Sequence, residues 1–187
     1  MPVNERRARD RAARHRLIIS TARRLAEDEG WGAVTTRRLA EQIEYSQPVL
    51  YSHFRGKDEI VTAVALDGFT QLGAELTEAV RKEPGARTLA TTYLAFAQAH
   101  PAVYEAMFEL TTDLQFADAE TPAPLRDAFQ VLLDTLRPLS GAVDPELFTE
   151  VFWAALHGLV GLTRSGRIPA QDTSRRIDVL VERFAGA

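Results

Sequence analysis

The sequence predicts an all-α protein of about nine helices, with a short three-helix segment ahead of a larger helical body. Apolar residues recur at spacings of three and four along most of the chain, which is typical of amphipathic helices. No stretch shows the period-two alternation of β-branched and aromatic residues that indicates strands. Glycine and proline separate the periodic stretches at intervals that suit helices.

Composition limits the class of protein. The chain has 187 residues, of which 45% are hydrophobic and 26% charged, and it has no cysteine. It can therefore bury a core in one or two domains, and it has no disulfide, thiolate metal site or cysteine nucleophile. No apolar run is long enough to span a bilayer and no secretory signal opens the chain, so a cytoplasmic location is expected.

Charge is distributed unevenly along the chain. Residues 1–57 carry 12 basic and 7 acidic side chains, whereas residues 58–187 carry 10 basic and 19 acidic ones. Eight arginines lie within the first 24 residues. A basic head on an acidic body is the distribution expected when one end meets a polyanion, although an arginine-rich tail can also be merely solvated.

The N-terminal segment reads as a polar arm followed by three helices. The arm covers about residues 1–10, and the first helix ends near Gly30. Thr35 or Thr36 can cap the second helix. Ser46 can cap the third, which we expect to run to Phe54. This organisation predicts a basic arm at 1–10, a small three-helix domain at 11–57 and a larger helical domain at 58–187.

The body begins with a long helix near Lys57, because no proline interrupts residues 49–83 and Pro84-Gly85 ends the run. Prolines and glycines then delimit further helices, with a loop at 111–121. Those helices are expected at about 87–99, 101–111, 123–138, 145–163 and 172–185.

Two short helices joined by a three- or four-residue turn form a helix-turn-helix pattern, whose second helix fits the major groove of DNA. Leu39, Ala40, Ile43, Leu50 and Phe54 are spaced to pack these helices together. Polar side chains lie off this apolar set and suit phosphates and base edges; they are Thr36, Arg37, Gln47, Tyr51 and His53. Alternatives remain for individual residues: Tyr51 as a core aromatic, Lys57 as a helix cap, and either Arg37 or Arg38 as a solvated charge.

This segment resembles the TetR family of transcriptional regulators. The matching positions are Thr36, Leu39-Ala40, Tyr45-Ser46, Leu50-Tyr51, His53-Phe54 and Lys57-Asp58-Glu59-Ile60. The resemblance implies phosphate contacts from Thr36, Tyr51, His53 and Lys57, and base reading by Arg37 and Gln47. With the flanking positions Thr35, Pro48 and Val49, and with Arg6, Arg7 and Arg9 of the arm, these residues make up the predicted DNA-binding set.

Two positions depart from the family pattern. Glu44 stands where a glycine is usual in the turn, so the backbone there must take a strained left-handed conformation or change shape. Val49 replaces a frequent threonine and offers only a methyl surface, which suits thymine.

The body also resembles a C-terminal TetR subclass, through Trp153-x-x-x-His157-Gly158 and His100-Pro101-x-x-Tyr104. The resemblance implies that residues 11–57 form the DNA-binding domain and that residues 58–187 form a ligand-binding and dimerisation domain. The many aromatic residues of this second domain predict a largely apolar small-molecule effector. The predicted ligand-binding residues are Phe69, Tyr93, Phe96, Tyr104, Met107, Phe108, Phe129, Trp153 and His157. The alternative for His157 is a hydrogen-bonded core residue, and the alternative for each of the aromatics is plain core.

The last two long helices are expected to form a homodimer interface, because their apolar faces exceed what one core needs. The predicted residues are Phe148, Phe152, Ala155, Leu159, Ile177, Leu180, Val181 and Phe184. Two recognition helices of a dimer would then read a near-palindromic operator on double-stranded DNA.

No catalytic motif, cofactor motif or metal-ligand spacing is found, and no membrane contact is expected. The predicted function is that of a ligand-responsive transcriptional regulator, a repressor that a small-molecule effector releases from DNA. The alternative is a helical small-molecule carrier or interaction module without DNA binding.

Overall fold

A computed structural model describes residues 3–112, 114 and 120–186, with side chains from residue 5 onward. In this part of the chain there are nine α-helices and no strand. The helices are α1 (Val3–Glu29), α2 (Thr36–Gln42), α3 (Gln47–Tyr51), α4 (Lys57–Lys82), α5 (Ala86–Ala99), α6 (Pro101–Phe108), α7 (Ala123–Leu136), α8 (Pro145–Arg164) and α9 (Thr173–Ala185). No helix of the described chain is both long enough and apolar enough to cross a membrane.

Helix α1 begins at Val3, so the described residues of the predicted arm at 1–10 belong to the first helix and do not precede it. Arginine and alanine, which dominate this stretch, are strong helix formers, and neither glycine nor proline interrupts residues 3–29. Side chains 5–14 are exposed. Burial begins at Ile18 and continues through Ala22 and Leu25, which form the buried face of this helix.

The described residues fall into two compact units. The first comprises those within 1–68 and 100–115, so it is larger than the predicted 11–57 segment and includes the first half of α4 and all of α6. Its core contains Leu39, Leu50, Phe54 and Ile60, each at most 2% exposed. The helix-turn-helix therefore rests on a core to which later parts of the chain contribute.

Contacts distant in sequence hold α6 in this first unit. The Glu27 carboxylate accepts hydrogen bonds from the Ala102 and Val103 amides at 3.0 and 3.2 Å, and the Trp31 indole donates to the Ala102 carbonyl at 2.8 Å. Gly68 on α4 packs so closely that a Cβ there would lie 2.5 Å from Val103 Cγ1. A bare glycine therefore allows α4 and α6 to approach.

The second unit comprises the described residues within 69–99 and 116–187. Helix α5 packs against α7, α8 and α9, and α7 packs against α8. Tyr93, Phe96, Phe152 and Leu156 are almost completely buried at the centre of this unit. Asp144 caps α8, because its carboxylate accepts hydrogen bonds from the Glu146 and Leu147 amides, both at 3.0 Å. The remaining helices of the body begin and end close to the positions that the glycines and prolines predict.

Three predicted boundaries are wrong. Helix α3 ends at Tyr51 instead of Phe54, and it is followed by a turn in which the His53 amide donates to the carbonyl of Leu50, three residues earlier. Helix α6 ends at Phe108 instead of 111. Helix α7 ends at Leu136 and continues as a 3-10 turn to Leu139. The predicted loop at 111–121 is non-helical where it is described, and its residues 113 and 115–119 lie outside the described part of the chain.

Candidate nucleic-acid interface

The helix-turn-helix is built from α2, a four-residue turn and α3. Thr35 is the N-cap of α2, with its hydroxyl accepting the Arg38 amide at 3.2 Å, which settles the choice between Thr35 and Thr36. Ser46 occupies the N-cap position of α3, but its side chain makes no capping bond. Glu44 in the turn has φ = 57°, the left-handed conformation that its replacement of a glycine predicts. The turn keeps its shape and bears the strain.

The predicted DNA-contacting side chains of α2 and α3 lie on the outside of this motif. Arg37, Gln47 and Pro48 are exposed, Thr36 and Val49 are half-buried, and Tyr51 is 51% exposed, which excludes the reading of Tyr51 as a core residue. The hydroxyls of Thr36 and Tyr51 lie 3.3 Å apart and form a hydrogen bond. The structure thus links two predicted phosphate contacts, one from each helix.

The two adjacent arginines of α2 have different surroundings. Arg38 donates two hydrogen bonds to the Glu29 carboxylate, at 2.6 and 2.8 Å, and this interaction lowers the pKa of Glu29 below its ordinary value. Arg37 pairs with Glu41, at 2.9 Å, on a side chain that is 79% exposed. Arg38 therefore joins α1 to α2, whereas Arg37 is the arginine that projects outward.

Lys57 and His53 follow the recognition helix. The Lys57 ammonium donates to the main-chain carbonyl of Trp31, so in this structure it also holds the start of α4 against the turn after α1. His53 is half-buried, and its pKa is lowered, first by burial and then by the positive charges of Arg11, His15 and Arg14.

Sequence reasoning missed Arg11, Arg14 and His15, which face the end of α3 from α1. Their three- and four-residue spacing on a helix could have indicated a shared side, but not which element that side meets. The predicted arm residues Arg6, Arg7 and Arg9 are exposed on the first turns of the same helix.

The predicted ligand-binding residues are divided between the two units. Tyr104, Met107 and Phe108 lie on α6 in the first unit, and the other six lie in the second unit. Five of the nine are at most 5% exposed; these are Phe69, Tyr93, Phe96, Tyr104 and Met107. Phe108, Phe129, Trp153 and His157 are half-buried.

Of these half-buried residues, Trp153 contacts two other predicted ligand-binding residues. Its indole N–H donates to the Tyr93 hydroxyl at 2.9 Å, and its ring lies 6.5 Å from that of Phe129 in an edge-on arrangement. The second unit therefore brings three of the predicted ligand-binding residues together.

The predicted dimer interface needs correction. Phe148, Phe152 and Ile177 are at most 7% exposed inside the protomer, where the Phe184 ring meets both phenylalanines edge-on at 5.1 Å. The periodicity identified the side of α8 that faces its own core, so these side chains are not available to a partner. Ala155, Leu159, Leu180 and Val181 are half-buried.

The exposed apolar side chains of α8 and α9 lie elsewhere, at Leu147, Val151, Leu162 and Val179, which are 43–57% exposed. Of these four residues, Val179 also lines an open groove of about 580 Å³. It is lined by Ala155, Leu159, Asp172, Arg175, Arg176, Val179, Leu180 and Arg183.

An outward-facing recognition helix, a cap-and-turn geometry and a surrounding surplus of arginine define a helix-turn-helix DNA-binding regulator. Residues 18–64 match the family model of bacterial regulatory proteins of the TetR family, and residues 86–184 match the tetracyclin repressor-like C-terminal domain. The chain belongs to the TetR family of DNA-binding transcriptional regulators. The alternative of a carrier or interaction module without DNA binding is thereby set aside.

Individual relatives agree with this assignment. An uncharacterised HTH-type transcriptional regulator of Mycobacterium tuberculosis, Rv0681, is 26% identical over 172 residues, which cover 90% of this chain and 78% of the relative. The class C tetracycline repressor of Escherichia coli is 46% identical over 48 residues, 26% of this chain and 22% of the repressor. A Rhodococcus sp. RHA1 protein of unknown function has the same fold, with a TM-score of 0.76 at 23% identity over 91% of this chain and 93% of that one.

Proposed function

We propose that the chain acts as a homodimeric repressor that binds a near-palindromic operator and is released by a predominantly apolar small molecule. The observation that carries the dimer is the exposed apolar side of α8, on which Leu147, Val151 and Leu162 are about half exposed. These residues follow helical spacing and form one stripe, opposite the side that packs in the core.

Glycine makes this stripe suitable for a second helix. A Cβ at Gly158 or Gly161 would meet nothing within 4 Å, so the backbone of α8 is open there. The groove beside Ala155 and Val179 offers space for side chains of a second copy. A twofold pairing of α8 and α9 would bury the stripe and hold two recognition helices about 34–36 Å apart on successive major grooves.

Val151→Glu tests the dimer, with Val143→Glu as the matched control, since Val143 is also exposed (46%) but lies in the turn before α8. We expect Val151→Glu to sediment as a folded monomer and to lose high-affinity operator binding, while Val143→Glu remains dimeric. A dimeric Val151→Glu variant would refute this interface, and a monomeric wild type at micromolar concentration would refute the dimer itself.

The DNA-reading role assigns different tasks to different side chains. Arg37→Ala and Gln47→Ala should each relax the preference at particular base pairs, by about 1–3 kcal/mol for a good bidentate contact. Binding to a randomised duplex library, sequenced before and after selection, measures this. An equal loss of affinity on all sequences would instead assign Arg37 and Gln47 to phosphate.

The effector is expected to contact the half-buried aromatic group formed by Phe129 and Trp153, with the Tyr93 hydroxyl and His157 as polar partners. Burial of apolar surface at about 25 cal/mol per Å² would hold such a ligand, and one or two polar groups would orient it. The Trp153-x-x-x-His157-Gly158 pattern on α8 supports assignment to the corresponding C-terminal subclass. Because α4 belongs to both compact units, a ligand that favours one of its conformations would change operator affinity.

Trp153→Phe tests the effector site with less risk to folding than alanine, since it keeps a ring and removes the N–H that bonds Tyr93. N-phenyl-1-naphthylamine, a neutral apolar fluorophore, serves as the probe. We expect wild type to bind it and release DNA, and Trp153→Phe to bind DNA normally with a weaker response. Unchanged probe binding in a folded variant would refute the site.

A further inference from the structure

Four basic side chains converge at the end of the recognition helix, and we refer to them as the basic cluster. Arg11, Arg14 and His15 come from α1, and His53 follows α3. The His15 ring stacks on Phe54 with centroids 4.5 Å apart, and its centroid lies 6.1 Å from that of His53. Two imidazoles and two guanidinium groups therefore share one small region of the first unit.

Neutral partners hold the two arginines in place. Arg11 Nη2 donates to the Ser52 carbonyl at 3.3 Å, and the Arg14 guanidinium lies 5.8 Å from the centre of the Tyr45 ring. A carbonyl and an aromatic face orient a cation without cancelling its charge. The arginines are thus fixed beside the turn and the end of α3 with their positive charge intact.

No carboxylate neutralises the basic cluster within the described part of the chain. The ion pairs of the first unit are formed by residues outside the basic cluster. The two basic residues that follow His53 in sequence also have partners outside it. Arg55 lies 3.6 Å from the Glu59 carboxylate, and Lys57 donates to the Trp31 carbonyl. Like charges this close repel one another, so the arrangement favours an external anion.

The electrostatics of His53 agree with this reading. Burial and the charges of Arg11, His15 and Arg14 lower its pKa, so the imidazole is predominantly neutral at neutral pH in the free protein. An anion placed against the cluster acts in the opposite direction, because it stabilises the protonated imidazole.

We propose that the basic cluster is a binding site for a backbone phosphate of operator DNA, and that it takes up a proton when the phosphate occupies it. This inference rests on the proposed DNA-binding function and extends it to two residues of α1, Arg11 and Arg14, and to a dependence on pH. Operator affinity rises as pH falls, since protons favour the occupied site.

The size of the effect follows from linkage. An opposite charge at about 4–6 Å shifts a pKa by roughly 1–3 units, and each unit corresponds to about a tenfold change in an equilibrium constant. We expect wild type to bind DNA about tenfold or more tightly at pH 6 than at pH 8. Binding should also take up protons that the buffer releases in equal number, so the heat of binding should depend on the ionisation enthalpy of the buffer.

The experiment uses the full chain and a duplex that wild type selects from a random library at pH 7.5. Fluorescence anisotropy at pH 6 and pH 8 gives affinities, and calorimetry in two buffers gives proton uptake. His53→Gln should lose most of the pH dependence. His100→Gln, which changes a histidine outside the cluster, should keep the wild-type dependence.

Two further arms identify the anion and guard against misfolding. Arg11→Gln/Arg14→Gln should weaken binding to all duplexes and make affinity less dependent on salt, as expected when phosphate contacts are lost. Titration of the His53 ring by NMR in wild type should show a pKa that rises when the duplex is added. Inorganic phosphate at the same phosphate concentration should leave it unchanged, and an equal rise with free phosphate would overturn the assignment to DNA.

Wild-type binding that is independent of pH, or that takes up no proton, would overturn the proposal even if a histidine variant fails to fold. Equal loss of pH dependence in His100→Gln would overturn it as well. If wild type selects no duplex at all, the proposed function fails; a selected duplex with no proton linkage refutes the basic cluster alone.

Discussion

Glu27 holds the first turn of α6, and its removal should destabilise the first unit. His100, at the N-cap of α6, makes no capping bond through its side chain, so the amides of Ala102 and Val103 depend on the Glu27 carboxylate at 3.0 and 3.2 Å. Glu27 lies 75 residues away in sequence from Ala102. It thus performs from another helix the task that a local cap residue usually performs.

The magnitude follows from the two hydrogen bonds. Loss of a helix cap costs about 0.5–2 kcal/mol, and a hydrogen bond to a charged group contributes about 1.5–3 kcal/mol. Because Glu27 is only half-buried, water can replace part of the hydrogen bonding that the two amides lose. We therefore expect Glu27→Ala to lower the free energy of unfolding by about 2–3 kcal/mol. For a chain of this size that is a fall in Tm of about 4–12 °C.

Glu27→Gln and Asp28→Ala provide the comparison. Glutamine keeps an accepting oxygen but not the charge, so its cost should be about half that of alanine. Asp28 is the exposed neighbour on the same helix, and its replacement should stay within about 0.5 kcal/mol of wild type.

Urea unfolding measures the free energies, and amide hydrogen exchange at Ala102 and Val103 reports the local effect directly. Both amides should exchange faster in Glu27→Ala than in Asp28→Ala. The reasoning would be refuted if Glu27→Ala were as stable as wild type, or if the protection of these two amides did not change.

Three other outcomes are expected. Glu44→Gly should raise the free energy of unfolding by about 1 kcal/mol, because glycine takes φ = 57° without strain; a destabilised variant in urea would contradict this. Tyr51→Phe removes the hydroxyl that bonds Thr36, and should weaken binding equally on selected and random duplexes while leaving Tm nearly unchanged; a sequence-dependent loss would argue against a phosphate contact. Hydrogen bonds, first of all from Arg81, lower the pKa of Glu78 to about 2. Any stability that this pair contributes is therefore fully present above the ordinary pKa of a glutamate and is lost as pH falls toward 2. NMR titration of Glu78 should show a higher pKa in Arg81→Ala, and an unchanged pKa would disprove the pairing.

The local content of the fold was readable from the sequence. Helical periodicity located all nine helices, and the break at Gly30, the strained Glu44 and a threonine cap at position 35 or 36 follow from chemistry within a few residues. The helix-turn-helix was equally visible, because its packing and its outward polar side chains are specified within some twenty consecutive positions. The start of α1 at Val3 was missed, since an arginine-rich stretch without apolar residues carries no periodic signal.

Which side of each helix faces which neighbour was decided only by the tertiary structure. Phe148 and Leu147 are adjacent and both apolar, yet Phe148 is 7% exposed in the core and Leu147 is 54% exposed on the surface. The meeting of Arg11 with Ser52, and of Glu27 with Ala102, depends in the same way on how whole helices are oriented. Periodicity shows where an apolar stripe lies around its own helix. How that helix is rotated about its axis relative to neighbouring helices is determined by the packing of side chains that are far apart in sequence.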